Sequence, residues 1–209
     1  MNLLDTLVVL DTCVLLRLRL SDVLMDLRAE KMFSAHWTEN IDDEFLRNLE
    51  KVYGIPQAKA QGRLRAMKAR CPEWHVEMSS ADFDAVPPKV DPKDRHVAAA
   101  ALALRHAVDK CIEEDPAERS DVILLTDNVK DMARKPMANL GVRVLRPGAF
   151  LDEVCQADVE ATTRAIMRAA SELKKPPYTV AELLDVLRKE GAKTLVSQMS
   201  ETMGIKPLK

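Results

Sequence analysis

Three short apolar runs stand out along the chain, and each stops abruptly at polar or turn-forming residues. Leu7-Val8-Val9-Leu10 ends at Asp11, Val122-Ile123-Leu124-Leu125 ends at Thr126-Asp127, and Gly141-Val142-Arg143-Val144-Leu145 is followed by Pro147-Gly148. The first two, unbroken and containing β-branched residues, predict strands buried on both faces, and the third is a further candidate strand. Between them, apolar spacings of three and four predict helices over 22–34, 40–52, 58–70, 92–112 and 129–138. Strands alternating with helices imply crossover connections and a mostly parallel sheet, whose ligands lie beyond the carboxyl ends of the strands. Asp11 and Asp127 both fall at such ends.

From about residue 151 the pattern becomes helix only. Residues 156–174 read as one helix, Lys174-Lys175-Pro176-Pro177 as a linker, and Thr179-x-x-Glu182 as a capping box opening a helix that stops at Gly191. A last helix over 193–203 ends at Gly204. The chain is therefore expected to divide into an α/β domain, 1–150, and a helical extension, 151–209.

Composition narrows the class. With 209 residues, 47% of them apolar and 31% charged, the chain fits one globular core with an appendage. A net charge of −2 gives no overall field that would attract nucleic acid, so any such site must be local. Lys59, Arg63, Arg65, Lys68 and Arg70 supply a basic helix without an acid, which reads equally as a phosphate-binding face or a solvated one. Cys13, Cys71, Cys111 and Cys155 form no C-x-x-C pair and are expected to be reduced core thiols. The apolar stretch around Leu7 to Leu20 is broken by Asp11, Arg17 and Arg19, so neither a signal peptide nor a membrane span is expected, and the location should be cytoplasmic.

The acids are ambiguous one by one. Asp11 and Asp127 each suit a turn or a helix cap as well as a site. Asp94 follows Asp91-Pro92, where a cap and a first helical residue are favoured, and an acid in a first helical turn is favoured by the macrodipole alone. The alanine run Ala98 to Ala101 nevertheless predicts that this helix packs closely and holds its N-terminus firmly. Glu44 lies beside the apolar stripe of Ile41, Phe45, Leu49 and Val52, and spacing does not separate it from Asp42 and Asp43. His36, His75, His96 and His106 are scattered, which favours core or surface roles.

Four stretches in order change the odds: Val8-Val9-Leu10-Asp11-Thr12, Asp43-Glu44-Phe45-Leu46-Arg47-Asn48-Leu49, Asp91-Pro92-Lys93-Asp94-Arg95-His96-Val97-Ala98-Ala99-Ala100 and Leu124-Leu125-Thr126-Asp127-Asn128-Val129-Lys130-Asp131. Their sequence resembles the PIN-domain family, in its bacterial VapC-like branch with a helical C-terminal extension. The resemblance implies a PIN-like three-layer α/β/α fold around a central mostly parallel sheet, and a metal site of Asp11, Glu44, Asp94 and Asp127. Asp131 competes with Asp127 for the last place. Carboxylates gathered at one point repel, and a set of hard oxygens suits Mg2+ or Mn2+ rather than zinc.

The implied activity is metal-dependent hydrolysis of RNA, as the toxin of a toxin–antitoxin pair. Asp11, Asp94 and Asp127 would hold the ion, Glu44 would ligate it or orient water, Thr12 and Asn128 would support these acids, and Arg95 would join the basic helix on the RNA backbone. The resemblance also implies a cognate antitoxin. The stripe Val180, Leu183, Leu184 and Leu187 would pack on its own core, on a second copy in a homodimer, or on that antitoxin. Alternatives are a non-cleaving PIN-fold protein that binds RNA or antitoxin, and a DNA-directed nuclease. A haloacid-dehalogenase-like phosphatase is disfavoured because Cys13 stands where its second aspartate belongs, and a phosphoacceptor receiver lacks the acidic pair beside Asp11.

Overall fold

The computed structural model describes residues 5–115, 120–173 and 177–205. Its centre is a wholly parallel sheet in the order β2-β1-β3-β4, built from β1 (Leu7–Leu10), β2 (Ser34–His36), β3 (Val122–Leu125) and β4 (Val142–Leu145). Val8 to Leu10 and all of β3 are buried although successive side chains point to opposite faces, so helices cover the sheet on both sides. These are α1 (Thr12–Leu15), α2 (Leu18–Ala29), α3 (Glu39–Tyr53), α4 (Gln57–Arg70), α5 (Ser80–Asp84), α6 (Arg95–Glu114) and α7 (Arg134–Asn139), followed by α8 (Pro147–Ala157), α9 (Val159–Glu172), α10 (Val180–Lys189) and α11 (Lys193–Met203). The α/β layering is the one expected.

Several elements differ from the expectation. Strand β2 was not anticipated, because Ser34-Ala35-His36 contains one apolar residue; pairing with Leu7 to Val9 creates it. Helix α2 starts earlier than residue 22 and stops before 34, because Lys31 turns the backbone left-handed at φ 61°. The segment expected as one helix over 156–174 is two, parted at Asp158, whose φ of −151° breaks the helix and whose carboxylate accepts from the N–H of Ala161 at 2.8 Å. Pro147 opens α8 as a first-turn proline, so this helix runs across residues 150 and 151. Residues 129–133 form turns before α7. The expected linker lies mostly outside the described residues.

The alanine run works as predicted: Ala98 to Ala101 have no exposed surface, and α6 presses closely on the sheet with its first turn at the strand ends. The stripe of α10 packs on its own chain, with Leu183 and Leu187 fully buried. Helix α9 lies along α2, where Glu30 pairs with Arg164 at 2.8 Å and with Arg168. Arg19 lies 4.7 Å over the ring of Tyr178, giving α2 a further contact with the extension. Among the described residues no helix is long and apolar enough to cross a membrane.

Candidate active site

The sheet order reverses at β1, with β2 on one side and β3 on the other, so the crevice of a doubly wound sheet lies between the carboxyl ends of β1 and β3. Asp11 stands there. Its N–H donates to Leu125 O at 3.1 Å, continuing the ladder past β1, and 7% of the residue is exposed. Thr126 Oγ1 donates to Asp11 Oδ2 at 2.6 Å and Cys13 Sγ donates to the same oxygen at 3.0 Å. These two donors fix the carboxylate at the crevice.

The other acids arrive from separate elements. Asp94 ends the 3-10 turn Pro92–Asp94 that leads into α6, after Asp91 accepts from the N–H of Lys93 at 3.1 Å. Asn128 Nδ2 donates to Asp94 Oδ2 at 2.6 Å, while the N–H of Asn128 donates to Thr126 Oγ1 at 3.0 Å, linking the β3 turn to the α6 turn. Glu44, on α3, accepts from Thr12 Oγ1 at 2.8 Å and lies 3.7 Å from His96 Nε2. Asp127 pairs with Arg17 Nη2 at 2.7 Å. Asp131 is tied in through its main chain, its carbonyl accepting from the N–H of Asp91 at 3.0 Å. The sequence-derived set Asp11, Thr12, Glu44, Asp94, Asp127 and Asn128 thus forms one linked neighbourhood.

Electrostatics distinguish these acids. Burial, followed by the charge of Asp11, pushes the Asp94 carboxyl above the ordinary carboxylate range. Burial and then Asp11 push the Cys13 thiol up to about 12, so at neutral pH it is a protonated donor and no soft thiolate ligand. The donor chemistry available to a cation is therefore carboxylate oxygen, which fits Mg2+ or Mn2+. As the side chains stand, no three His, Cys, Asp or Glu among the described residues close into a metal cage. The acids are instead engaged with Thr12, Arg17, Asn128 and Thr126, and among the described residues no ion pair joins Asp11 or Asp94.

The basic helix is largely occupied. Arg63 pairs with Asp22 at 2.7 Å, Lys68 with Asp42 at 2.5 Å, and Arg70 with Asp26, so these three side chains tie α4 to α2 and α3. Lys59 and Arg65 remain exposed. Arg95 donates to Phe83 O at 2.8 Å, holding the loop of α5. Asp42 is not part of a solvated face: it is 6% exposed and accepts from Trp37 Nε1 at 2.8 Å. Val52 is 61% exposed, because the apolar stripe outruns the core at the last turn of α3. Cys111 is exposed and Cys13 half-buried, so only Cys71 and Cys155 are core thiols.

Sequence reasoning missed Cys13, Arg17, His96, Thr126 and Glu190 as neighbours of the site. Thr126 and Cys13 adjoin predicted acids and were within reach of the same motif. Arg17 and Glu190 carried no local signal, since their proximity depends on how the C-terminal helices dock.

Those helices carry the decisive likeness. Residues 147–201 match the family model of the VapC50 C-terminal domain, from the first residue of α8 to within α11. Over these residues the chain is similar to the C-terminal domain of VapC50. No curated protein and no solved structure matches it. The matched segment includes Glu190, the residue by which the extension touches the acid neighbourhood through Arg17.

Proposed function

We propose that the chain is a Mg2+- or Mn2+-dependent endoribonuclease acting as the toxin of a toxin–antitoxin pair. The observation that carries this reading is the hydrogen-bonded chain from Asp11 through Thr126 and Asn128 to Asp94 at the switch point of the sheet, where burial and the charge of Asp11 leave Asp94 reluctant to ionise. Such a pair is costly unless a cation joins it. Asp11 and Asp94 would hold the ion, with Asp127 and Glu44 as the remaining oxygen donors. Bound there, the ion would polarise the scissile phosphate and make water a competent nucleophile.

The chain's own groups do the rest. Thr126 and Cys13 hold Asp11, and Asn128 holds Asp94, which preserves their mutual position while the substrate changes. Thr12 orients Glu44, whose carboxylate would position the attacking water. Lys59 and Arg65 are the members of the basic helix left to meet the RNA backbone. The likeness of residues 147–201 to the VapC50 C-terminal domain supports a cognate antitoxin as the controlling partner.

A labelled single-stranded RNA and a DNA of the same sequence, incubated with the purified protein in Mn2+ and in EDTA, test the chemistry. RNA should be cut only with the metal, and Asp11→Asn and Asp94→Asn should each lose about 10³-fold or more in rate. Uncut RNA, equal cutting of DNA, or full activity in both variants would sink the assignment. Expression in bacteria should arrest growth, and Asp11→Asn should relieve the arrest.

A further inference from the structure

Arg17 stands where α1 hands over to α2, and its guanidinium spans two acids from opposite ends of the chain. Nη2 lies 2.7 Å from Asp127 Oδ2, while Nη1 donates to Oε2 of Glu190. The Arg17 side chain keeps 40% of its surface exposed, against 27% for Asp127 and 13% for Glu190. A guanidinium carries five N–H donors in a fixed fork. With one nitrogen on each acid and 40% of the side chain exposed, it still has N–H donors to spare.

Neutralising Asp127 would not require Glu190, which competes with Asp127 for the same cation. Glu190 is better understood as an anchor, because its turn is built rigidly. It caps α10, Gly191 follows at φ 92°, and the N–H of Ala192 returns to Leu187 O at 3.1 Å. The turn presses on α8 so closely that a Cβ at Gly148 would lie 2.4 Å from the carbonyl oxygen of Glu190. The extension thus fixes one end of the Arg17 fork from outside the sheet.

We propose that Arg17 contacts the substrate phosphate and that Glu190 is its positioning residue, so that the C-terminal extension completes the site. This rests on the nuclease reading above. A phosphodiester brought to Asp11 and Asp94 places its non-bridging oxygens in an acidic crevice, where a tethered guanidinium supplies charge-assisted hydrogen bonds that offset the repulsion. Preset by Glu190, the fork needs little reorganisation when the substrate arrives.

The test uses the full chain and a fluorescein-labelled single-stranded RNA of mixed sequence, with binding read by anisotropy in EDTA and cleavage read in Mn2+. Arg17→Ala should weaken binding about tenfold and lower kcat/KM about 10²-fold, with Arg17→Lys between it and the parent because the charge remains without the fork. Glu190→Gln should lose about three- to tenfold, chiefly in KM, and should add nothing on top of Arg17→Ala. Unchanged binding and cleavage in Arg17→Ala, or a Glu190→Gln loss that adds in full, overturns the proposal. If Glu190→Gln melts early, Arg17→Lys carries the comparison at an unaltered turn, and equality with the parent counts against the fork. Equal activity in the parent and Asp11→Asn removes the nuclease reading. An inactive Asp11→Asn beside a fully active Arg17→Ala removes this proposal alone.

Discussion

In and against the C-terminal helices, several acids are matched with donors. Glu30 meets Arg164 and Arg168, Asp158 and Glu182 cap the first turns of α9 and α10, and Asp152 accepts from the N–H of Leu195 at 2.8 Å. At the carboxyl end of the sheet, neutral donors hold Asp11 and Asp94, and burial together with the charge of Asp11 pushes Asp94 above the ordinary carboxylate range. Both regions are built on well-buried apolar residues, so the contrast is in charge and not in packing. A fold that gives acids arginine partners in one place and leaves a carboxyl disfavoured as an ion in another is holding local free energy in reserve for a ligand.

The largest stability effect should come from the satisfied region. Leu187 is fully buried in the stripe of α10, and Leu187→Ala should cost about 2–5 kcal/mol, a fall in Tm on the order of 10 °C. Calorimetry should show one transition moving as a whole, because α10 packs on α2 and α9 packs on both α2 and α8. A separate early transition with the main one unmoved would mean that the extension is an independent unit, and the two regions would then have to be compared as two domains.

The acid edge should respond with the opposite sign. In metal-free protein at neutral pH, Asp94→Asn removes a charge that burial and Asp11 both disfavour, so Tm should rise by a few degrees. Adding Mn2+ should raise the Tm of the parent and leave that of the variant nearly unmoved. A destabilised variant in EDTA would show that Asp94 is a structural acid held by Asn128, and the contrast between the regions would disappear.

The strands β1, β3 and β4 were legible because buried parallel strands write themselves as apolar runs, and the capping box at Thr179 was legible because its chemistry is local. Strand β2 was not, since neighbours and not residue type make Ser34 to His36 a strand. The break at Asp158 was hidden inside a helical pattern that continues on both sides. Within the site, the acids emerged from four ordered motifs, while Arg17 and Glu190 did not, because a contact between residues so far apart in sequence is fixed by tertiary docking alone. The basic helix shows the converse error: five cations without an interleaved acid looked free, yet Asp22, Asp26 and Asp42 on other helices engage three of them.

The finest test of the contrast is pH. The Arg164 and Arg168 guanidiniums hold the Glu30 carboxyl below its ordinary 4.5. A depressed carboxyl contributes stability that is fully present above the unfolded-state value and lost as pH falls through the folded one. The Tm gap between the parent and Glu30→Gln should therefore be constant from neutral pH down to about 6 and shrink as pH falls below the ordinary 4.5. Because the side chains of Arg164 and Arg168 are 56% and 39% exposed, the gap should be no more than a few degrees and should shrink in molar salt. For Asp94 the sign reverses: its raised carboxyl favours the folded chain at low pH, and that contribution is lost as pH rises through the folded value. Acidification should thus weaken the clamp between α2 and α9 while relaxing the acid edge. A gap for Glu30→Gln that does not shrink at all as pH falls below 4.5 would assign this contact to packing, leaving charge pairing as no part of what separates the two regions.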